Sequence, residues 1–404
     1  MRLKLLFIAS LSCVAVTFAY NKTGFAYDER CLLHQHGTEV ASRVVKIKDT
    51  LTNSGLMAKL VPTVPLTNVQ PYIKYVHTDA HIASVSAIPN TGTSALAAVE
   101  GLLGAVKAVS DGTVKNAFCA LRPPGHHAHS YGGEEGFCFY SNVAIAAKYA
   151  QNVLGYKKIL IIDWDYHHGN GTEDVFYSDS TVLFFSSHNW HSYPGTGDPS
   201  RIGTGPGLGY NINVHMDCNT NDSTVINIWK TILVPKVDSF KPDFVLISCG
   251  FDSRINDLLG CFKITDSGFI EMTKLAMSMA DKHCNGRLVS MLEGGYNVNG
   301  VGSAAAAHVS TLLGLENSIE TQLADTEKNI PYISFNNLII PEAFSVESAK
   351  LTLIGTNGNR IYEVPINSGK RIPLVHWGLS CGRYFLKIER QNRNNIVLPF
   401  VYID

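Results

Sequence analysis

Apolar runs of strand length alternate with segments of helical period from about residue 24 to residue 315, and this alternation restricts the possible folds more than any other feature. The runs are continuously apolar, which is typical of strands that are buried on both faces of a sheet. The order strand, helix, strand predicts an α/β fold, a mainly parallel multi-stranded sheet with helices on both faces. The predicted strands are 116–121, 157–163, 181–187, 210–216, 243–249 and 287–292, and the predicted helices are 92–110, 141–153, 222–238, 266–284 and 300–314.

The pattern changes after about residue 330. Helical period disappears, and short alternating stretches such as AKLTLIG (349–355) and GRYFLKIER (382–390) are separated by turn-forming residues. We therefore predict a main domain over residues 20–328 and a small all-β, sandwich-like C-terminal module over residues 331–404. The module resembles the C-terminal sandwich domains that some bacteria append to exported proteins.

The first 19 residues have the pattern of a signal peptide. A basic start, Arg2 and Lys4, precedes the apolar stretch LLFIASLSCVAVTFA (5–19), and small residues lie before the polar residue Asn21. We expect cleavage after Ala19 and an exported protein, secreted, periplasmic or attached to the cell surface. The alternatives are a signal anchor, or a cytoplasmic protein in which this segment is a buried helix. No other segment is expected to span a membrane, so no span should remain after cleavage.

The composition excludes some functions. Charged residues make up 17% of the 404 residues and the net charge is −1, so neither disorder nor direct binding of nucleic acid is indicated. Nine cysteines are scattered through the chain without a CxxC motif, and cleavage would leave eight. Their disulfide status stays open at this point.

Polar groups follow four of the predicted strands at the point where each strand ends. Asp165 and His167 are two residues apart after one strand and therefore point to the same side, and Asp252 follows another strand. Because the carboxyl ends of parallel strands lie at one edge of a sheet, these three side chains predict a single metal site. His126 and His127 follow a third strand and Tyr296 a fourth, so we place them at the same edge.

Long ordered motifs surround these residues, namely TGFAYDERCLLH (23–34), RPPGHHA (122–128), GFCFYSNVAIAA (136–147), DWDYHHGNGTEDVFY (163–177), SYPGTGD (192–198), SCGFDS (248–253), DLLGCFKIT (257–265) and LEGGYN (292–297). Together they resemble the zinc-dependent histone deacetylase family, in particular its class II branch and the bacterial deacetylases of the arginase-deacetylase fold. The resemblance implies one Zn²⁺ per chain, held by Asp165, His167 and Asp252. It also implies the chemistry of an amidohydrolase that removes acyl groups with a metal-activated water.

The resemblance assigns roles to five further residues. His127 is implied as general base and acid, with His126 supporting the developing charge, and Tyr296 as the donor to the tetrahedral oxyanion. Asp163 corresponds to the acid that orients His126. Asn170 corresponds to the class II amide that orients His127. Monovalent-cation sites, suited to K⁺, are implied near Asp163, Ser186 and Phe176.

The expected substrate is an acyl-lysine peptide or a small acylated amine. Phe137 and Tyr193 are implied as the walls of a narrow tunnel, with the carbonyl of Gly136 open to the scissile amide. Leu259 lies where the acetylpolyamine branch has a glutamate, so we expect an apolar rim that favours acyl-lysine over acetylated polyamines. The loop SVSAIPNTG (84–92) lacks the acid with which relatives clamp a peptide backbone.

Three alternative functions were weighed against this one. An arginase-like centre would hold two manganese ions, but the motifs supply too few carboxylates, so we predict one transition metal, zinc or iron. A second alternative is a deacetylase of acetylpolyamines or other small amides. A third is a non-catalytic protein that binds acetylated ligands.

Overall fold

The computed structural model describes residues 22–315 and, beyond them, residues 332–334, 337–339, 349–355, 359–366, 371–373, 382–390 and 396–402. The chain divides into two compact units between residues 316 and 317. The predicted signal peptide lies outside the described residues. So do residues 328–331, where we placed the domain boundary, and those boundaries stay predictions.

The first unit is built on one sheet of eight parallel strands. The strands are β1 (Thr23–Ala26), β2 (Val61–Pro62), β3 (Asn116–Cys119), β4 (Ile159–Asp163), β5 (Val182–His188), β6 (Asn211–His215), β7 (Phe244–Cys249) and β8 (Leu288–Leu292). Their order across the sheet is β2-β1-β3-β8-β7-β4-β5-β6. The central strands β3, β4, β7 and β8 are buried along their whole length, as continuous apolar runs predict. The predicted α/β fold is therefore confirmed.

Ten α-helices accompany the sheet in the described part of the first unit. They are α1 (Ser42–Asn53), α2 (Gln70–Ile73), α3 (Asp79–Ser86), α4 (Thr91–Ser110), α5 (Asn142–Asn152), α6 (Asn170–Phe176), α7 (Asp222–Ile228), α8 (Val234–Phe240), α9 (Asp266–Cys284) and α10 (Val298–Leu312). A π-helical turn, Trp229–Leu233, joins α7 to α8, and 3-10 turns occupy Glu29–Leu32, Met57–Lys59 and Gly205–Gly207.

Helix α4 lies in the core, and its glycines allow other segments to approach closely. A Cβ atom at Gly104 would lie 2.1 Å from the carbonyl oxygen of Val64, so only glycine fits there. By length and composition α4 is apolar enough to cross a membrane, which corrects our expectation that no segment after the first 19 residues could. Most of the helix, 72% of its most apolar window, is buried inside the protein, as in the core helix of a folded domain.

Apart from Asn359, the described part of the second unit is β-structure, as predicted. One antiparallel sheet has the order β13-β10-β9, with β9 (Tyr332–Ser334), β10 (Asn337–Ile339) and β13 (Arg371–Pro373). Another has the order β12-β11-β14-β15, with β11 (Ala349–Gly355), β12 (Arg360–Ile366), β14 (Gly382–Arg390) and β15 (Ile396–Tyr402). That the two sheets form a sandwich stays a prediction.

Candidate functional site

The sheet order brings four polar strand ends side by side. Strands β3, β8, β7 and β4 are consecutive neighbours, and their carboxyl ends lead into the segments that carry the histidine pair, Tyr296, Asp252 and Asp165 with His167. This is the edge at which parallel α/β sheets place ligand sites.

Asp165, His167 and Asp252 converge on one point. Each offers one ligand atom, and these three atoms lie within 4.8 Å of one another in a buried position. The Nδ1 atom of His167 lies 3.2 Å from Oδ1 of Asp165 and 2.9 Å from Oδ2 of Asp252. Backbone amides hold the carboxylates in place: the N–H of Gly294 donates to Oδ2 of Asp165 at 2.7 Å, and the N–H of Tyr166 donates to Oδ1 of Asp252 at 2.8 Å.

The electrostatics of this triad favour a bound cation. Burial disfavours the charged imidazole of His167, yet its hydrogen bonds to Asp165 and Asp252 outweigh burial and raise its pKa to about 10. Burial and the charge of Asp165 raise the pKa of Asp252 to about 7. Two carboxylates buried together repel each other unless positive charge lies between them. Two carboxylate oxygens and one imidazole nitrogen form a donor set that zinc accepts, so the residues fit a divalent metal.

His126, Cys138 and Glu293 form a second buried group with ligand atoms equally close together. Burial raises the pKa of the Cys138 thiol well above its ordinary value, and the charge of Glu293 adds to the effect. Because the thiolate is the form that binds metal, this group is a poor second centre. One Oε atom of Glu293 accepts the N–H groups of Gly125 at 2.6 Å and His126 at 3.2 Å, so this carboxylate supports the histidine segment.

The histidine pair has two different environments. Nδ1 of His126 lies 3.0 Å from Oδ2 of Asp163, and Nδ1 of His127 lies 2.7 Å from Oδ1 of Asn170. Burial disfavours the charged form of His126, but the charges of Asp165 and Asp163 outweigh burial and raise its pKa to about 10. Burial, together with the neighbouring His126, lowers the pKa of His127 well below its ordinary value. The structure thus pairs one protonated imidazole with one neutral imidazole.

Asn170 fixes which nitrogen of His127 carries the proton. Its amide nitrogen lies 3.1 Å from Nε2 of His129, an arrangement that leaves the amide oxygen as acceptor for Nδ1–H of His127. The unprotonated Nε2 of His127 is then free to take a proton.

Tyr296 is 6% exposed, and its ring faces that of Phe137 at a centroid distance of 5.8 Å. Burial and the charge of Asp252 raise the pKa of its phenol well above the ordinary value, so the hydroxyl stays protonated and able to donate. The guanidinium of Arg43 lies 5.2 Å from the ring centroid. Arg43 also donates to the carbonyl of Gly295 at 2.5 Å and to that of Glu293, which holds the segment leading into Tyr296.

A cavity of about 450 Å³ opens over these groups. It is lined by His127, Glu134, Gly136, Phe137, His167, Ser192, Tyr193, Leu259 and Tyr296. Every residue that we predicted to contact substrate is in this lining. Gly136 has φ +52°, and a Cβ atom there would lie 2.4 Å from the His127 ring, so glycine is required. The carbonyl of Gly136 lies 3.5 Å from the Cys138 thiol.

The rim of the cavity is less apolar than we expected. Leu259 is there, 40% exposed, but Glu134 also lines the cavity, with its carboxylate 3.0 Å from Nε2 of His36. The Tyr193 hydroxyl donates to the neighbouring Glu135 at 2.5 Å. The loop before α4 contains no acidic residue, as the sequence indicated. The two acidic residues near the cavity, Glu134 and Glu135, come instead from the segment before Phe137.

Sequence reasoning missed a buried ion network behind the site. The Glu39 carboxylate accepts from Nη1 of Arg43 at 2.6 Å and from Nε of Arg122 at 2.8 Å, and all three side chains are fully buried. Arg122 also donates to the carbonyl of His34 at 2.7 Å. Nothing in the sequence around Glu39 and Arg43 distinguishes these buried residues from the exposed charged residues of a surface helix.

The predicted cation sites near Asp163, Ser186 and Phe176 stay predictions. Asp163 and Ser186 are paired neighbours on β4 and β5, and the Ser186 hydroxyl lies 2.8 Å from Nδ1 of His188. Phe176 is buried at the end of α6.

Comparison with known proteins gives consistent matches. Residues 37–312 match the family model described as histone deacetylase domain. A probable deacetylase of Archaeoglobus fulgidus is 37% identical over 297 residues, which are 69% of this chain and 82% of that protein. Histone deacetylase 15 of Arabidopsis thaliana is 34% identical over 338 residues, which are 76% of this chain and 60% of that protein. The crystal structure of the HDA15 HD domain superposes with a TM-score of 0.69 at 34% identity, covering 73% of this chain and 90% of that one.

Proposed function

Because this chain belongs to the histone deacetylase family, we propose that it is a zinc-dependent amidohydrolase that removes acetyl or other acyl groups from lysine side chains or related amines. The observation that carries the proposal is the convergence of three buried donors, a neutral histidine and a protonated phenol on one cavity. Membership of this family supports deacetylase activity. The zinc dependence and the acyl-lysine substrate are our own proposals.

Zinc held by Asp165, His167 and Asp252 would supply a Lewis acid that polarises the acyl carbonyl and acidifies a water molecule. The protein itself moves the proton. Nε2 of His127 accepts the proton of the attacking water and later returns it to the leaving amine, because Nδ1 is already committed to Asn170. Protonated His126, held by Asp163, supplies positive charge beside the reaction.

Tyr296 donates its hydroxyl to the oxygen that becomes negative in the transition state. Phe137 and Tyr193 provide apolar faces for the methylene stem of an acylated lysine, and the Phe137 ring lies beside that of Tyr296 at a centroid distance of 5.8 Å. An acyl-lysine peptide is therefore the first candidate substrate.

A second candidate is favoured by Glu134 and Glu135 at the rim. Two carboxylates beside a cavity attract a substrate with a positive charge beyond the acylated nitrogen, as in an acetylated polyamine. Leu259, which also lines the cavity, is neutral and does not add to that attraction.

We predict that zinc-loaded enzyme hydrolyses acetyl-lysine peptides, and that a chelator abolishes hydrolysis until zinc is restored. The test is a panel of acyl-lysine peptides, acetylpolyamines and acetylated sugars, compared by kcat/KM. The second candidate would be favoured if the enzyme had a higher kcat/KM for acetylpolyamines and Glu134→Gln reduced this preference about tenfold. That is the effect expected from the loss of one charge-assisted contact. Binding of acetylated ligands without hydrolysis of any of them would instead identify a non-catalytic binding protein.

We also propose that the protein is exported. Two features support this: the signal-like residues 1–19, and a disulfide between Cys218 and Cys261, a bond that is rare in reducing cytoplasm. We expect the mature protein to begin at Tyr20 and to be recovered outside the cytoplasm. Fractionation and N-terminal sequencing test this, and a cytoplasmic protein that retains residues 2–19 would contradict it.

A further inference from the structure

The rim segment, defined as Asp257–Cys261, is tied to the site at both ends. It follows Asn256 on the loop after β7 and carries Leu259 to the cavity. It ends at Cys261, which is bonded to Cys218 in the turn after β6, with the two Cα atoms 5.1 Å apart. Leu258 and Leu259 are 65% and 40% exposed, so apolar burial contributes little to holding the segment.

Asp257 fixes the backbone of Tyr296. Its Oδ2 atom accepts the N–H of Tyr296 at 2.7 Å and that of Asn297 at 2.9 Å. Its Oδ1 atom accepts the N–H of Leu259 at 2.9 Å. One carboxylate thus links the rim segment to the residue that we propose as oxyanion donor.

Cys261 lies directly against the metal-binding segment. The Tyr166 hydroxyl, on the residue between Asp165 and His167, is 3.1 Å from Sγ of Cys261. Because a disulfide sulfur carries no hydrogen, Tyr166 must be the donor while the bond is intact. A Cβ atom at the adjacent Gly260 would lie 1.8 Å from the carbonyl oxygen of Asp252, so the segment touches the backbone of a proposed metal ligand.

The disulfide is the covalent anchor of this arrangement. The N–H of Asn219 donates to the carbonyl of Cys261 at 2.9 Å, and the Asn189 amide nitrogen lies 3.8 Å from each sulfur. Cys218 is exposed and Cys261 is half-buried, whereas Cys31, Cys119, Cys138, Cys249 and Cys284 are buried free thiols. Among the described cysteines, the pair at the rim is therefore the one that a soluble reductant reaches most readily.

We propose that the Cys218–Cys261 disulfide and Asp257 together position Tyr296, so that turnover depends on the redox state of this bond. The proposal rests on the proposed deacetylase function. The reductant is a dithiol: one of its thiolates attacks a sulfur of the disulfide and forms a mixed disulfide, and its second thiolate then displaces the cysteine. Two electrons and two protons pass to the protein, which leaves two cysteine thiols and a cyclic disulfide of the reductant.

The experiment uses the full zinc-loaded chain with and without dithiothreitol, and peptide mapping verifies that Cys218 and Cys261 are reduced. We expect kcat to fall about tenfold or more on reduction, because small misplacement of a catalytic group is costly, with a smaller change in KM. Amide hydrogen exchange at Tyr296 and Asn297 should become faster in the same samples. Oxidised glutathione should restore both quantities.

Three variants separate positioning from general damage. Cys218→Ser should reproduce the low kcat without reductant and should not change further when dithiothreitol is added, which also controls for loss of metal to the reagent. Cys284→Ser, the matched control, should behave as the natural sequence does. Asp257→Ala should lower kcat, and adding Cys218→Ser to it should cost little more, because both changes act on one element.

An unchanged kcat in verified reduced protein would overturn the proposal, and so would a fall in kcat without faster exchange at Tyr296. If the oxidised protein hydrolyses nothing in the panel, the proposed function fails. Hydrogen exchange alone then still decides whether the disulfide holds Tyr296 in place.

Discussion

Replacing Tyr296 with phenylalanine is expected to lower kcat for an acetyl-lysine peptide about 10²- to 10³-fold, the usual cost of removing one oxyanion donor. KM should change little, because phenylalanine keeps the ring that packs against Phe137 and lies beside Arg43. The phenol is protonated at neutral pH, since burial raises its pKa well above the ordinary value. Steady-state kinetics on metal-loaded protein gives both constants.

The matched control is Tyr149→Phe, which removes a buried phenol from α5, where Tyr149 packs against Tyr72. This variant should keep kcat within about twofold, as expected for a change that leaves the transition-state contacts intact. If Tyr296→Phe retained a kcat close to that of the natural sequence, the hydroxyl would not contact the transition state, and another donor would have to be sought.

The second large effect is on stability. Glu39→Gln should lower the free energy of unfolding by about 3–5 kcal/mol, because it leaves the buried guanidinium groups of Arg43 and Arg122 without their counter-charge. Burial opposes the ionisation of Glu39, but Arg43 and Arg122 outweigh it and hold its pKa below the ordinary value. The stabilisation from Glu39 is therefore present above the ordinary glutamate pKa and is lost as the pH falls. Denaturant unfolding at neutral pH measures it.

An exposed pair provides the comparison. Asp111→Asn breaks a surface ion pair with Lys107 at 2.5 Å, and we expect a change within about 0.5 kcal/mol. If the Glu39 and Asp111 variants were equally stable, the buried network would contribute no more than a surface pair, and our account of how Arg43 holds the Tyr296 segment would be wrong.

The elements that the sequence predicts best are the long apolar ones. All six predicted strands are present, and every predicted end lies within two residues of the observed end. Five of them are fully buried and therefore apolar along most of their length, and the sixth, β6, alternates polar and apolar residues. Strand β2 was missed because it has only two residues, and β1 (TGFA) was missed because polar residues follow it, whereas the equally short β3 lies in the longer apolar run NAFCAL. Helix α1 was missed because eight of its 12 residues are polar or charged, although Val44, Ile47 and Leu51 form a buried stripe.

The residues of the candidate site were predictable because each follows a strand end inside a long motif. The contacts that support them were not, because they join segments far apart in the chain. Asp257 and Tyr296 are 39 positions apart, and Cys218 and Cys261 are 43 apart. Eight cysteines without a spacing motif allow many pairings, so the disulfide could not be chosen from sequence. Glu134 was overlooked because a pair of glutamates after two glycines is typical of a solvent-exposed loop.

The proposed hydrolysis depends on one divalent ion bound by Asp165, His167 and Asp252. An anomalous difference map from a crystal of the zinc-loaded protein, recorded at the zinc absorption edge, tests it most directly. We predict one peak per chain in the first unit, between the two carboxylates and Nδ1 of His167. A pair of peaks, or a single peak among His126, Cys138 and Glu293 with none at the triad, would contradict the assignment.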